Sequence, residues 1–183
     1  DLISFAEQSM ASKTMDMVDI HAIADLLIMQ GKLWEGAAEF EQAASAYRRA
    51  LRFLQDSLAS QGESAAESNK RRILESWRKS LPNAVTRCKT WASLPPTDRT
   101  LARVDWLIEE GEWQMSDGWN YPASQAKLEE ALNTLQSLNM ADLDKDKSAR
   151  YQHLRDLELP AQVKRAKQAE EIKNSVRKLY EPN

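Results

Sequence analysis

A chain of 183 residues with five Gly, six Pro and one Cys is long enough to bury a continuous apolar core without disulfide staples. Its formal charge of −3, from 25 Lys and Arg against 28 Asp and Glu, excludes the basic excess of a phosphate-backbone binder, so nucleic acid is not an expected partner. Abundant Ala, Leu, Glu, Lys, Arg and Gln predict long helices joined by short turns, an all-α fold.

The longest apolar run, 26-LLIM-29 with its neighbours, falls far short of the roughly 20 residues of a bilayer span, and no membrane span is expected. Cys88 has no internal partner and reads as a buried thiol in a reducing, intracellular setting, the cytoplasm. A start at Asp1, without Met or leader, gives the expectation of an excised domain or a processed chain.

Leu2, Phe5 and Ala6 in 1-DLISFAEQSM-10 have the spacing of a short helix, and Ser12, Thr14 and Asp16 offer N-caps for the next one. Ile20, Ile23, Ala24, Leu27 and Ile28 form one helical stripe, predicting a first helix over 19–33 in which Gly31 permits close approach of a neighbour. In 38-AEFEQAASAYRRALRFL-54, large Phe40, Tyr47, Leu51 and Leu54 alternate with small Ala43, Ala46 and Ala50. Such alternation lets facing helices interdigitate and predicts an antiparallel hairpin over about 19–58.

The small, polar segment 59–70 reads as a loop or a frayed helix end. Ile73, Leu74, Trp77 and Leu81 resume helical spacing, Pro82 is placed to end or kink that helix, and Val85, Cys88, Trp91 and Leu94 mark another stripe. A shortened hairpin over 71–94 is therefore expected. Pro95 and Pro96 enforce a stop, and 97-TDRT-100 caps a helix carrying Leu101, Val104, Leu107 and Ile108 to Gly111. The turn formers of 116-SDGWNYP-122 lead into a helix over 123–138 with Pro122 in its first turn, completing a hairpin over about 98–138. A charged tail comes next, in which Tyr151, Leu154 and Leu157 cover the hairpins. Pro160 opens a final helix along Val163, Ile172, Val176 and Leu179, whose outer half is expected to be exposed; tail and helix occupy 148–180.

Set against itself, 40-FEQAASAYRRAL-51 lies over 121-YPASQAKLEEAL-132, and each is preceded by an apolar helix ending in glycine, 27-LIMQG-31 and 107-LIEEG-111. Leu27, Gly31, Trp34, Phe40, Ala43, Tyr47 and Ala50 fall at packing positions of a tetratricopeptide repeat, which the first unit resembles; Ala38 stands where that family commonly has glycine. The resemblance implies a single array of stacked antiparallel hairpins over 1–183, similar to the domains of immunophilin-type co-chaperones. The clamp that such domains use for acidic peptide tails is missing, since Ile28, Lys32, Ser76, Asp105 and Glu109 occupy its positions. The helix 38-AEFEQAASAYRRAL-51 is also similar to those of microtubule-interacting-and-trafficking domains, which implies two closed three-helix units instead of one array.

Chemistry is sparse. His21 and His153 lack partners at ligand spacing, and Asp142, Asp144 and Asp146 lack the Gly and terminal Glu of a calcium loop. No phosphate cradle, paired-Cys site or serine elbow appears, so no catalytic residue, metal or cofactor is expected. The basic runs 70-KRR-72 and 164-KRAK-167 are interspersed with Glu67, Glu75, Glu170 and Glu171 and read as solvated faces before anionic-lipid contacts.

The expected function is non-enzymatic binding of another protein's helix or peptide in a groove lined by the first helices of the hairpins. Its candidate residues are Asp25, Ile28, Lys32, Arg72, Glu75, Lys79, Asp105, Ile108, Glu112 and Trp113. The alternative is a structural scaffold, or a tandem trafficking or autophagy adaptor that docks through its helices.

Overall fold

A computed structural model describes residues 16–60 and 68–180. The described residues are all-α, with helices α1 (Met17–Gly36), α2 (Phe40–Ser60), α3 (Ser68–Ala92), α4 (Pro96–Ser116), α5 (Tyr121–Ser137), α6 (Lys145–His153) and α7 (Leu159–Tyr180). A 3-10 turn (Met140–Asp142) precedes α6, and a π turn (Leu154–Glu158) joins α6 to α7. The helix expected over 1–10 and most of the loop expected over 59–70 lie outside the described residues. The chain forms two compact units that part between Pro95 and Pro96.

In the first unit, α1 and α2 form the expected hairpin, and Asp16 caps α1 by accepting from the Val18 and Asp19 amides at 2.8 and 2.9 Å. α2 packs against both α1 and α3. Its middle position explains why it buries more than one stripe: Phe40, Ala43, Tyr47, Ala50 and Leu54 together with Ala46, Phe53 and Ser57.

The hairpin expected over 71–94 is instead one helix, α3, running through Pro82. Pro82 is exposed, as is Arg78, whose carbonyl four residues earlier the proline leaves without its helical donor. Leu74, Leu81, Val85 and Cys88 stay on one buried face across the proline, and their packing against α2 holds the helix together.

In the second unit, α4 and α5 form the other expected hairpin, and α5 also packs against α7. The Asn120 side chain caps α5 through the Ala123 amide at 3.3 Å, with Pro122 in the first turn. Ahead of α7, Pro160 has no N–H and its ring displaces the Asp156 carbonyl, so the helix widens and the Leu159 amide donates to Leu154. Tail and final helix are thus one continuous rod from Lys145 to Tyr180.

The internal repeat has a physical counterpart. Gly31 meets the ring of Tyr47 and Gly111 meets Leu128, and Tyr47 and Leu128 are the aligned pair of the two second helices. Ala50 and Ala131, also aligned, are fully buried, as are Ala43 and Ser124. The turns match as well: among the described residues, Ala38 and Trp119, at equivalent positions, have left-handed backbone, φ 62° and 49°.

A Cβ on Gly31 would overlap Cε1, Cδ1 and Cζ of the Tyr47 ring, whereas one on Gly111 would stand 2.9 Å from Leu128 Cγ. Overpacking of about 1–3 kcal/mol exceeds the helix-propensity gain of about 1 kcal/mol only where the neighbour cannot yield. Gly31→Ala is expected to lower the stability in urea unfolding, and Gly111→Ala to do so less or not at all.

Candidate functional site

The only fully buried carboxylate among the described residues is Glu35, in the last turn of α1. Tyr47 Oη on α2 donates to its Oε2 at 2.8 Å, and from α3 Arg87 donates to Oε1 through Nε at 2.8 Å and Nη2 at 2.6 Å. Cys88 Sγ lies 3.5 Å from the same oxygen. The Arg87 guanidinium stacks over Trp91, whose ring meets Phe40 edge-on. Sequence reasoning missed this cluster, because neither Glu35 nor Arg87 has a partner at local spacing.

The cluster is a poor reaction centre. Burial, and then the Glu35 charge, push the Cys88 thiol up to about 12, and the same two causes raise the Tyr47 phenol far above its ordinary value. A thiol held protonated is neither a nucleophile nor a metal ligand. Both carboxylate oxygens accept from donors on other helices, so the arrangement fixes helix register.

The surface of α1 has a different character. Val18, Leu26, Met29 and Leu33 are 51% to 73% exposed and, with exposed Ala22, recur at intervals of three and four residues along one line. From Val18 to Leu33 that line rises 15 steps, about 22 Å at 1.5 Å per residue. It lies opposite the buried stripe of Ile20, Ala24, Gly31 and Glu35, so α1 is apolar on its core face and on its solvent face.

Of the ten expected partner-binding residues, Asp25, Ile28 and Lys32 share the helical face of His21, whose ring meets Trp77 of α3 at 4.8 Å. They are half-buried and flank the exposed line. On α3, Arg72 and Lys79 are exposed, while half-buried Glu75 accepts from Arg71 Nε at 3.3 Å.

The remaining four belong to the second unit. Asp105 accepts from Arg150 Nη2 at 2.9 Å and Tyr151 Oη at 3.0 Å, tying α4 to α6. Burial, then Asp105, hold the Tyr151 phenol above its ordinary range. Asp105 and Ile108 border a pocket of about 330 Å³ with Glu109, Arg150, His153, Leu154 and Glu158. His153, the last residue of α6, and Glu158, the last residue of the π turn, pair at 3.0 Å. Glu112 accepts from Gln162 of α7 at 2.9 Å, and Trp113 is exposed. Two of these carboxylates therefore serve internal ties, and among the described residues no acidic, His or Cys group is arranged to hold a metal.

Glu35→Ala leaves Arg87 and Tyr47 without their shared acceptor and is expected to cost about 3–5 kcal/mol in urea unfolding. A second expectation concerns alkaline pH. The folded state keeps the Cys88 proton up to about 12 whereas the free thiol releases it near 9.0, so stability is full below pH 9 and declines as pH rises toward 12. A plot of Tm against pH should fall less steeply on this limb for Cys88→Ala.

Comparison of the chain with family models, with curated proteins and with solved structures finds no match.

Proposed function

We propose that the chain is a non-enzymatic protein-interaction module that takes an amphipathic helix of a partner protein along the outer face of α1. The carrying observation is the exposed apolar line of Val18, Ala22, Leu26, Met29 and Leu33. Contiguous exposed apolar surface of this kind marks binding sites, and a straight line one helix wide and about 22 Å long suits a helix as its occupant. Asp25 and Lys32 beside it supply opposite charges that set the register of the incoming helix. The reading keeps the expected partner class and the α1 residues of the expected groove, but moves the anchors from Ile28 to the neighbouring exposed line.

The scaffold or trafficking-adaptor alternative draws support from α3, which contacts both helices of the first hairpin and so makes a three-helix unit of the kind the second resemblance implies. The alternative docks through its helices, the exposed final helix among them, and neither reading needs a cofactor or catalytic residue.

The test is affinity capture by the full chain from its native cell, followed by reconstitution with the purified partner. Leu26→Lys with Leu33→Lys replaces two exposed side chains, so helicity and Tm should change little, while loss of two interface anchors weakens binding by at least about tenfold. Unchanged affinity in the doubly substituted protein, with the fold intact, removes this face from consideration.

A further inference from the structure

The end of the second unit that holds the α4–α5 turn carries two features the proposed function leaves unused. The first is Trp119. It is 67% exposed and has φ 49°, a left-handed conformation that glycine adopts without strain and a bulky residue adopts only at a cost. An indole with so little packing does not offset that strain within the fold, which points to a role outside it. Its carbonyl accepts from Lys173 Nζ at 3.1 Å, and the same ammonium lies 5.5 Å from the Tyr121 ring centre, so the turn is fastened to α7.

The second feature is the outer part of α7. Every residue from Glu171 to Leu179 is exposed, and Ile172, Val176 and Leu179 form an apolar line there, 48% to 81% exposed. Helical spacing puts Lys173 and Arg177 on one side of this line and Lys167 and Lys178 on the other. The helix carries six cationic side chains against two carboxylates in a chain whose net charge is −3. Glu170, one of those two, is directed at Asn174 Nδ2 at 3.1 Å and Lys173 Nζ at 4.0 Å.

We propose that this end of the second unit binds an anionic membrane surface, with α7 lying in the interface and Trp119 beside it. The charge is complementary to acidic headgroups, and cations on both flanks of an apolar line let the side chains below enter the acyl boundary while the ammonium groups stay with phosphate. An exposed indole next to a lysine is the amphipathic group that settles at headgroup depth. The apolar line has only three large side chains over two turns, too little to fill a protein groove of about 800 Å² per partner but enough for shallow insertion aided by charge. No helix among the described residues is long and apolar enough to cross a membrane, so the contact is peripheral.

The test is co-flotation of the full chain with vesicles of phosphatidylcholine alone and of phosphatidylcholine mixed with phosphatidylserine. Binding is expected only to the mixed vesicles and should fall with added salt. Lys167→Gln and Lys178→Gln should each weaken it about fivefold, the loss of one cation near an anionic surface. Ile172→Asp with Val176→Asp should abolish it without changing helicity. Trp119→Gly distinguishes a membrane role from a structural one: it relieves the left-handed strain, so Tm holds or rises while vesicle binding drops. Equal binding to both vesicle types, or binding indifferent to the α7 and Trp119 substitutions, overturns the proposal. Absence of vesicle binding, with loss of a purified protein partner on Ile172→Asp, overturns it in favour of a protein ligand.

Discussion

The hydroxyl of Tyr47 reaches Glu35 because its ring lies across the bare Cα of Gly31. This close approach fixes the α1–α2 distance, and that distance in turn sets the depth at which the Glu35 carboxylate sits. A carboxylate buried that deeply requires donors, and α3 supplies the strongest from Arg87. The ion pair adds little net stability over an apolar replacement, but any displaced register would strand a charge. Three helices with modest sequence signatures are thereby held to one arrangement.

The same device, reduced to its steric part, organises the second unit. Gly111 receives Leu128 in place of Tyr47, and no buried carboxylate accompanies it among the described residues. The polar ties are displaced outward to Asp105 with Arg150 and Tyr151, and to Asp98 with Lys147 at 2.8 Å. These ties bind a helix that the repeat does not predict, α6, to the hairpin that it does. With Asp105 committed to such a tie, it has little left to offer a partner.

Core and surface divide the labour. Glu35, Tyr47 and Arg87 of the first unit are directed at one another, whereas two lines of exposed apolar groups lie on α1 and on α7. The proposed functions rest on those lines, since an apolar side chain in water gains most from being covered. The left-handed turn shows the same division. Ala38 fills it at small cost in the first unit, while Trp119 fills the equivalent position in the second at greater cost and with its indole in solvent.

The hairpins over 19–58 and 98–138, the close approach at Gly31 and the first-turn Pro122 are legible in the sequence, because period and small–large alternation are local and repeat themselves. The burial of Cys88 is legible for the same reason. Pro82 misleads, since a proline removes one local hydrogen bond and only packing against α2 decides whether the helix survives it. The binding face is half legible: α1 carries apolar residues on more than one face in the sequence, but which face meets α2 and α3 depends on neighbours far along the chain. The sequence by itself therefore determined helices and pairings governed by contacts a few residues apart. Tertiary structure alone decided the Glu35–Arg87 pair, 52 residues apart, and the choice of outward face, because both arise only when separate helices come together.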